Sequence, residues 1–255
     1  ARAILMANDR GGYTLPTAGL YPFQWNWDAI VTALGWMTFN PPRAWEELRW
    51  LFKGQWHGGP NDGFVAQINF HNESDSYFPG PDEWGTDGAP GTEGLATRTS
   101  SISQPPLHAT MVRWMWARAC KMSANPDVKA FAAEEVRHLL PKLVAHHRWW
   151  YRARDPHNTG LVVNIHPWET GMDNSPAWDV PLACVPETTR PYTRRDLGHV
   201  DASMRPPKSF YDRVVYLMDF NRAQGFDPQK ILATCPYQVN DIGIISILQR
   251  GSIDL

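Results

Sequence analysis

An all-α architecture whose chemistry sits on the connecting loops is the fold class this sequence predicts, on three observations. Apolar residues recur at helical spacing in runs that open on Pro or Asp signals and close on Gly or Pro. These runs come in pairs separated by long loops, with little that alternates as a strand. Aromatic and acidic residues gather in the loops, above all in 166–179, which reads His-Pro-Trp-Glu-Thr-Gly-Met-Asp-Asn-Ser-Pro-Ala-Trp-Asp.

Taken in order, residues 1–10 carry Ile4 and Leu5 at helical spacing and stop at Gly11-Gly12, the tail of a helix. A Pro- and Gly-rich passage leads to Tyr21-Pro-Phe-Gln-Trp-Asn-Trp-Asp28, and from Asp28 an apolar-periodic run through Ile30, Val31, Leu34 and Met37 reaches Phe39. Trp25, Trp27 and Asp28 therefore fall at a helix N-terminus, where Asp28 reads equally well as an N-cap and as a contact to a polar ligand. Asn40-Pro-Pro ends that helix. The next, over 42–53, buries Trp45, Leu48, Leu51 and Phe52 and turns Glu46, Glu47 and Arg49 to solvent. So short a turn sets the two helices antiparallel.

Residues 54–104 are rich in glycine and hold one strand-like run, 63–70. A long irregular insertion carrying Tyr77, Phe78 and Trp84 is expected to be a mobile loop over the site. The run 82–88 lacks the alternating ligands and terminal Glu of a calcium loop, so no metal site is expected there. Gln104-Pro-Pro opens a helix ending near Ser123, with Trp114 and Trp116 in its core and Gln104 toward a cleft. Asn125-Pro126-Asp127 caps a long helical run to Arg154, which Pro141 should kink or split. His138, His146 and His147 on that run lack the i, i+4 pair of a helical zinc site and read as packing or surface residues. Residues 161–165 are strand-like, and the chain beyond Asp179 stays irregular through Arg205. Helices follow over 207–223, with Phe210, Val214, Leu217 and Met218 on one side, and over about 238–250, ended by Gly251.

An apolar content of 43% is that of an ordinary globular chain, and a formal charge of -2 with interspersed signs argues against nucleic acid or an anionic membrane as partner. The expected ligand is a small molecule. Cys120, Cys184 and Cys235 are far apart and odd in number, without C-x-x-C spacing, which fits a reduced, cytoplasmic setting. No apolar run approaches the roughly 18 residues of a membrane span. The outlying count is 13 tryptophans. Trp25, Trp27, Trp168 and Trp178 stand in polar, loop-like contexts, where an indole serves as the wall of a ligand site. With Glu169, Asp173 and Asp179 beside them they point to sugar chemistry. Aromatic faces stack on pyranose rings, and a carboxyl desolvated between indoles has its pKa raised into the range of a general acid. A surface turn is the competing reading of 166–179, but turns seldom carry two tryptophans.

Three stretches, Tyr21-Pro-Phe-Gln-Trp-Asn-Trp-Asp28, Gln104-Pro-Pro106 and Trp168-Glu-Thr-Gly-Met-Asp-Asn-Ser-Pro-Ala-Trp-Asp179, closely resemble the motifs of glycoside hydrolase family 63, nearest to its bacterial mannosylglycerate and glucosylglycerate hydrolases. The resemblance runs over residues 1–255 and implies an (α/α)6 barrel, inverting hydrolysis of a small charged α-glycoside, and no metal or organic cofactor. It makes Asp173 the general acid and assigns Tyr21, Trp25, Trp27 and Asp28 to the sugar pocket, with Gln104 beside it. Tyr77 matches a residue that closes over substrate, and Arg205 and Tyr211 match contacts to a glycerate, whose carboxylate suits the guanidinium fork. Inversion needs a second carboxylate about 6.5–9.5 Å from the first. The family's base is a Glu in the C-terminal part of the barrel with no counterpart here, so the base is expected beyond Leu255 and the chain is expected to be the N-terminal part of the barrel, with Asp28, Glu169 and Asp241 as alternative bases. An open half-ring would expose the faces of its inner helices and be marginally stable. The alternatives in function are a trehalase-like or oligosaccharide-trimming α-glucosidase, whose neutral substrate does not require Arg205, and a non-catalytic sugar-binding helical protein.

Overall fold

The computed structural model describes residues 1–122, 126–198 and 200–255 and is mostly helical. Its helices are α1 (Arg2–Asn8), α2 (Asn26–Trp36), α3 (Pro41–Leu51), α4 (Pro81–Trp84), α5 (His108–Met122), α6 (Pro126–Arg154), α7 (Asp179–Ala183), α8 (Lys208–Ala223), α9 (Pro228–Thr234) and α10 (Ile242–Asp254). Strands β1 (Gln24–Trp25), β2 (Ile68–Phe70) and β3 (Arg98–Thr99) form one antiparallel sheet in that order. Among the described residues no helix is long and apolar enough to cross a membrane.

Helices α2 and α3 form the hairpin that the Asn40-Pro-Pro turn predicts. Asn40 Oδ1 accepts from Arg43 N at 3.3 Å, and Pro41 and Pro42 fill positions whose N–H groups have no helical partner. Ile30, Ala33 and Trp36 of α2 pack with Trp45, Leu48 and Leu51 of α3, and Met115 and Leu139 from α5 and α6 complete this core. Helix α6 runs unbroken across Pro141. Its buried face, Leu139, Leu143, His146, Trp149 and Trp150, offsets the roughly 3 kcal/mol that an interior proline costs. The cap expected at Asn125 and the helix end expected at Ser123 lie outside the described residues.

Several expectations are corrected. Glu47 is fully buried rather than solvated, because the chain at Thr14 crosses α3 and supplies donors. Its carboxylate accepts from Thr14 N (3.1 Å), Thr14 Oγ1 (2.6 Å), Gln24 Nε2 (2.8 Å) and Arg43 Nη2 (2.9 Å), the saturation a buried charge needs. Trp114 is 47% exposed, since the buried face of α5 follows Val112, Met115 and Ala119 and leaves residue 114 off it. Residues 54–104 are irregular only in part: they supply β2, α4 and β3 and bury Trp56, Phe64 and Trp84. Residues 161–165 make a single bridge, Asn164 to Val239, in place of a strand. The chain after Asp179 includes α7, and α9, capped by Asp227 with Pro228 behind it, adds a helix that periodicity alone does not reveal. Helix α10 starts later than expected, capped by Asp241, and continues through Gly251. A Cβ at Gly251 would meet the His147 ring at 3.3 Å, so the glycine serves packing against α6 rather than termination.

Candidate active site

The sheet fixes where α2 begins. Gln24 pairs with Asn69 and Trp25 with Ile68, and Asn26 N donates to Gln67 O at 2.8 Å, so β1 turns into α2 at one defined residue. Trp25 occupies the N-cap position, and Asp28 stands in the first helical turn. Of the two readings of Asp28 the cap is thereby excluded, and its carboxylate lines a pocket instead. Gln104 supplies the polar partner at this helix end: its Oε1 accepts from Trp27 N at 3.2 Å.

The loop 166–179 is two short 3-10 turns, Pro167–Thr170 and Pro176–Trp178, joined through Gly171 at φ +71°. Thr170 Oγ1 donates to Pro167 O (2.8 Å) and accepts from Met172 N (3.1 Å), and Trp178 Nε1 donates to Met172 O at 2.7 Å. The backbone at Met172, directly before Asp173, is thus held through both its N–H and its carbonyl. Glu169 is fully buried and salt-bridged to Arg154 at 2.8 Å. Gly171 lies so close to Trp27 and Pro105 that a side chain there has no room.

A cavity of about 250 Å³ lies between these pieces, and Tyr21, Trp25, Trp27, Asp28, Tyr77, Gln104, Trp168, Asp173, Arg205 and Tyr211 all line it. Trp178 does not. It is buried with Val163, Ile165 and Tyr237, and its N–H is spent on the loop, so it braces the wall without forming it. Of the alternative bases, Glu169 is locked in its ion pair and Asp241 caps α10; Asp28 alone lines the cavity. Tyr77 meets Trp25 edge-on at 5.0 Å and lies 6.0 Å from Tyr21, and Phe78 stacks on Tyr192 at 5.2 Å.

Charge is distributed unevenly across this cavity. Burial, with the Asp28 carboxylate nearby, pushes the Asp173 carboxyl up to about 7 against the pull of Arg205. Burial also raises Asp28. Also on the lining, Arg205 Nε donates to Asp196 Oδ2 (2.8 Å) and Nη2 to the Tyr211 hydroxyl (3.1 Å), while Arg194 holds both Asp196 oxygens at 3.0 and 2.7 Å. Burial alone would raise Asp196, but these guanidinium bonds keep it well below the usual carboxylate range. Two guanidiniums share one carboxylate, which leaves this cluster with a net positive charge.

Asp196 and Gln67 were missed in the sequence. Asp196 sits in an irregular stretch whose fold only the arginines reveal; the Arg194-Arg195-Asp196 run was the available signal. Gln67 is buried beside β2 with its Oε1 unpartnered among the described residues and on the cavity wall, an acceptor suited to a hydroxyl.

Comparison with known proteins bears on the fold and the family. The mannosylglycerate hydrolase MGH1 of Selaginella moellendorffii is 49% identical over 255 residues, covering 100% of this chain and 49% of its own length. A mannosylglycerate hydrolase of Thermus thermophilus is 47% identical over 253 residues, covering 99% and 57%. A crystal structure of the family 63 mannosylglycerate hydrolase from Thermus thermophilus, in complex with Tris and D-glycerate, superposes with a TM-score of 0.88 at 46% identity, covering 99% of this chain and 57% of that one. The mostly helical fold matches that of the family 63 enzyme, the class to which the expected (α/α)6 barrel corresponds, and the chain spans about half the length of the curated relatives it matches. Residues 21–255, which hold the paired strand-to-helix turn, the braced acidic loop and the arginine side of the cavity, match the model of the mannosylglycerate hydrolase MGH1-like glycoside hydrolase domain, and the chain belongs to that family.

Proposed function

We propose that this cavity binds a small anionic α-glycoside, a hexosylglycerate such as mannosylglycerate or glucosylglycerate, and takes part in its hydrolysis with inversion. The observation that carries the reading is Asp173: a carboxyl raised to about 7, in a loop that leaves it little freedom, faces the cavity between tryptophan walls. A carboxyl of that strength is protonated often enough near neutral pH to hand its proton to a departing glycerate oxygen, and its conjugate base is stable enough to keep the charge. Trp25, Trp27 and Trp168 offer faces for the pyranose, and Asp28, Gln67 and Gln104 offer acceptors for its hydroxyls. Arg205, with Tyr211 beside it, pairs the glycerate carboxylate. Tyr77 on the 71–80 segment closes over the sugar.

In this scheme the C1–O bond to glycerate breaks as Asp173 delivers its proton, and a water attacks C1 from the opposite face, giving up its own proton to a second carboxylate. We place that base outside these 255 residues, because Asp28 flanks Asp173 on the cavity wall and Asp196 is committed to two arginines. Three unpaired thiols suit a reducing, cytoplasmic compartment.

The test is hydrolysis of mannosylglycerate, glucosylglycerate and trehalose, side by side, by the whole protein and its Asp173→Asn variant. Turnover of a hexosylglycerate that the variant loses is the expected result. Turnover of trehalose alone would replace the anionic substrate with a neutral one, and sugar binding without turnover would replace the enzyme with a binding protein.

A further inference from the structure

We infer that Glu169, which does not line the cavity, is the positioning residue that aims both Asp173 and the Asp28 end of α2; the inference rests on the reading of Asp173 as the acid. The Glu169 carboxylate is fully buried and gathers three segments of chain. Arg154 Nη2, from the last turn of α6, donates to Oε1 at 2.8 Å, and Ser103 N donates to the same oxygen at 3.2 Å. Ile165 N donates to Oε2 at 2.9 Å.

Two tethers run from this point to the cavity. Along the chain, Glu169 ends at Thr170, whose hydroxyl receives Met172 N, and Asp173 follows. Across the chain, Ser103 is followed by Gln104, whose Oε1 receives Trp27 N, and Asp28 is the next residue of α2. Ser103 is itself fixed to the sheet side by its hydroxyl, which donates to Val65 O at 2.8 Å. Gly171 resting on Trp27 joins the two tethers at their far ends. Asp28 and Asp173 therefore share one anchor, and a movement of Ser103 relative to Ile165 changes their separation.

The chemistry of the anchor demands an ionised carboxylate. Such a group only accepts, and its lone pairs accommodate three donors; an amide in its place must turn an N–H toward Arg154, Ser103 N or Ile165 N, each of which is a donor. Glu169→Gln therefore separates the segments by a fraction of an ångström without changing the size of the side chain. Catalysis by a positioned acid is sensitive to shifts on that scale, while hydroxyl contacts around a bound sugar are more tolerant.

A purely structural role would weaken every reaction of the site alike; a role in aiming the acid weakens only reactions that need it. The discriminating substrates are α-mannosyl and α-glucosyl fluoride, in which fluoride leaves C1 with its bonding pair and no proton from Asp173. In the whole protein, Glu169→Gln is expected to lower kcat on the hexosylglycerate about 100-fold while kcat on the glycosyl fluoride and both KM values change by less than about threefold. Equal losses on both substrate classes, or no loss on either, overturn the inference. If Glu169→Gln alone does not fold, the double variant Glu169→Gln/Arg154→Met removes the stranded charge and is judged by the same ratio. A wild-type protein that hydrolyses neither class overturns the functional reading and the inference together, whereas an active wild type with equal losses in the variant overturns the inference alone.

Discussion

Replacing Gly171 by alanine should cost both stability and turnover, in amounts that can be separated. Gly171 has φ +71°, and a Cβ added there would stand 2.8 Å from Trp27 Cη2 and Cζ2 and 3.1 Å from Pro105 Cγ. Left-handed backbone alone costs a residue with a Cβ about 1–2 kcal/mol. The contact with Trp27 falls roughly 0.6 Å short of the 3.4 Å at which ordinary van der Waals packing begins, and overpacking of this kind costs about 1–3 kcal/mol. A total near 3 kcal/mol lowers Tm by roughly 6–12 °C in a chain of this size. Gly160 provides the control, since it has φ +81° and none of the described residues lies within 4 Å of an added Cβ; Gly160→Ala carries the backbone cost without the contact. Turnover suffers because either the Trp27 wall gives way or the loop backs off and takes Asp173 with it, and a displacement of about half an ångström is worth roughly tenfold in kcat/KM. Differential scanning fluorimetry of the two variants, with steady-state hydrolysis of mannosylglycerate by the whole protein, measures both quantities. Equal Tm losses for Gly171→Ala and Gly160→Ala, with kcat/KM unchanged in both, would refute the claim that this contact sets the loop against α2.

Turnover should decline as pH rises through about 7, where the raised Asp173 carboxyl loses its proton, and Asp173→Asn should lose roughly 10²–10⁴-fold at every pH; a pH–rate profile checks both. Folded Asp173 holds its proton more tightly than the unfolded chain does, so its contribution to stability is complete below about pH 4 and is lost as pH rises through about 7. The Tm of Asp173→Asn relative to wild type should therefore rise across that window, and a constant difference would show that the carboxyl is not raised. Arg205→Gln removes a charge-assisted contact worth about 1.5–3 kcal/mol, so KM for hexosylglycerates should rise roughly 10–100-fold while hydrolysis of neutral glycosyl fluorides is little affected. Glu47→Gln leaves Arg43 paired with Asp9 but turns an amide N–H toward buried donors, and should cost about 1–3 kcal/mol in urea unfolding, with no direct effect on the cavity.

The cavity was legible to the extent that its residues were local. Trp25, Trp27 and Asp28 sit within four positions of one another, and Asp173 lies in a loop whose proline, glycine and tryptophan content sets it apart from ordinary turns. What the sequence could not give was the direction of side chains whose partners are far along the chain. Trp178 and Trp168 have similar contexts, yet one turns its indole N–H back to Met172 O and the other faces the cavity. Glu47 looked like a surface residue because its helix alone offers it one partner, Arg43; Thr14 and Gln24, 33 and 23 positions away, supply the further donors that make burial possible. Pro141 does not break α6, since the cost of the proline is local and the packing that offsets it is not. Asp196 escaped notice because its significance comes from Arg194, Arg205 and Tyr211 converging on it in space.

The two guanidiniums around Asp196 also give the cavity a positive pole. The Arg194–Arg205 pair around Asp196 leaves one positive charge uncompensated, so a molecule with a carboxylate at one tip is drawn in by that tip before it makes contact. Such guidance acts over a screening length of about 8–10 Å. Added salt would therefore slow capture of an anionic glycoside and leave its residence time, set by the indole walls and hydroxyl contacts, nearly as it was.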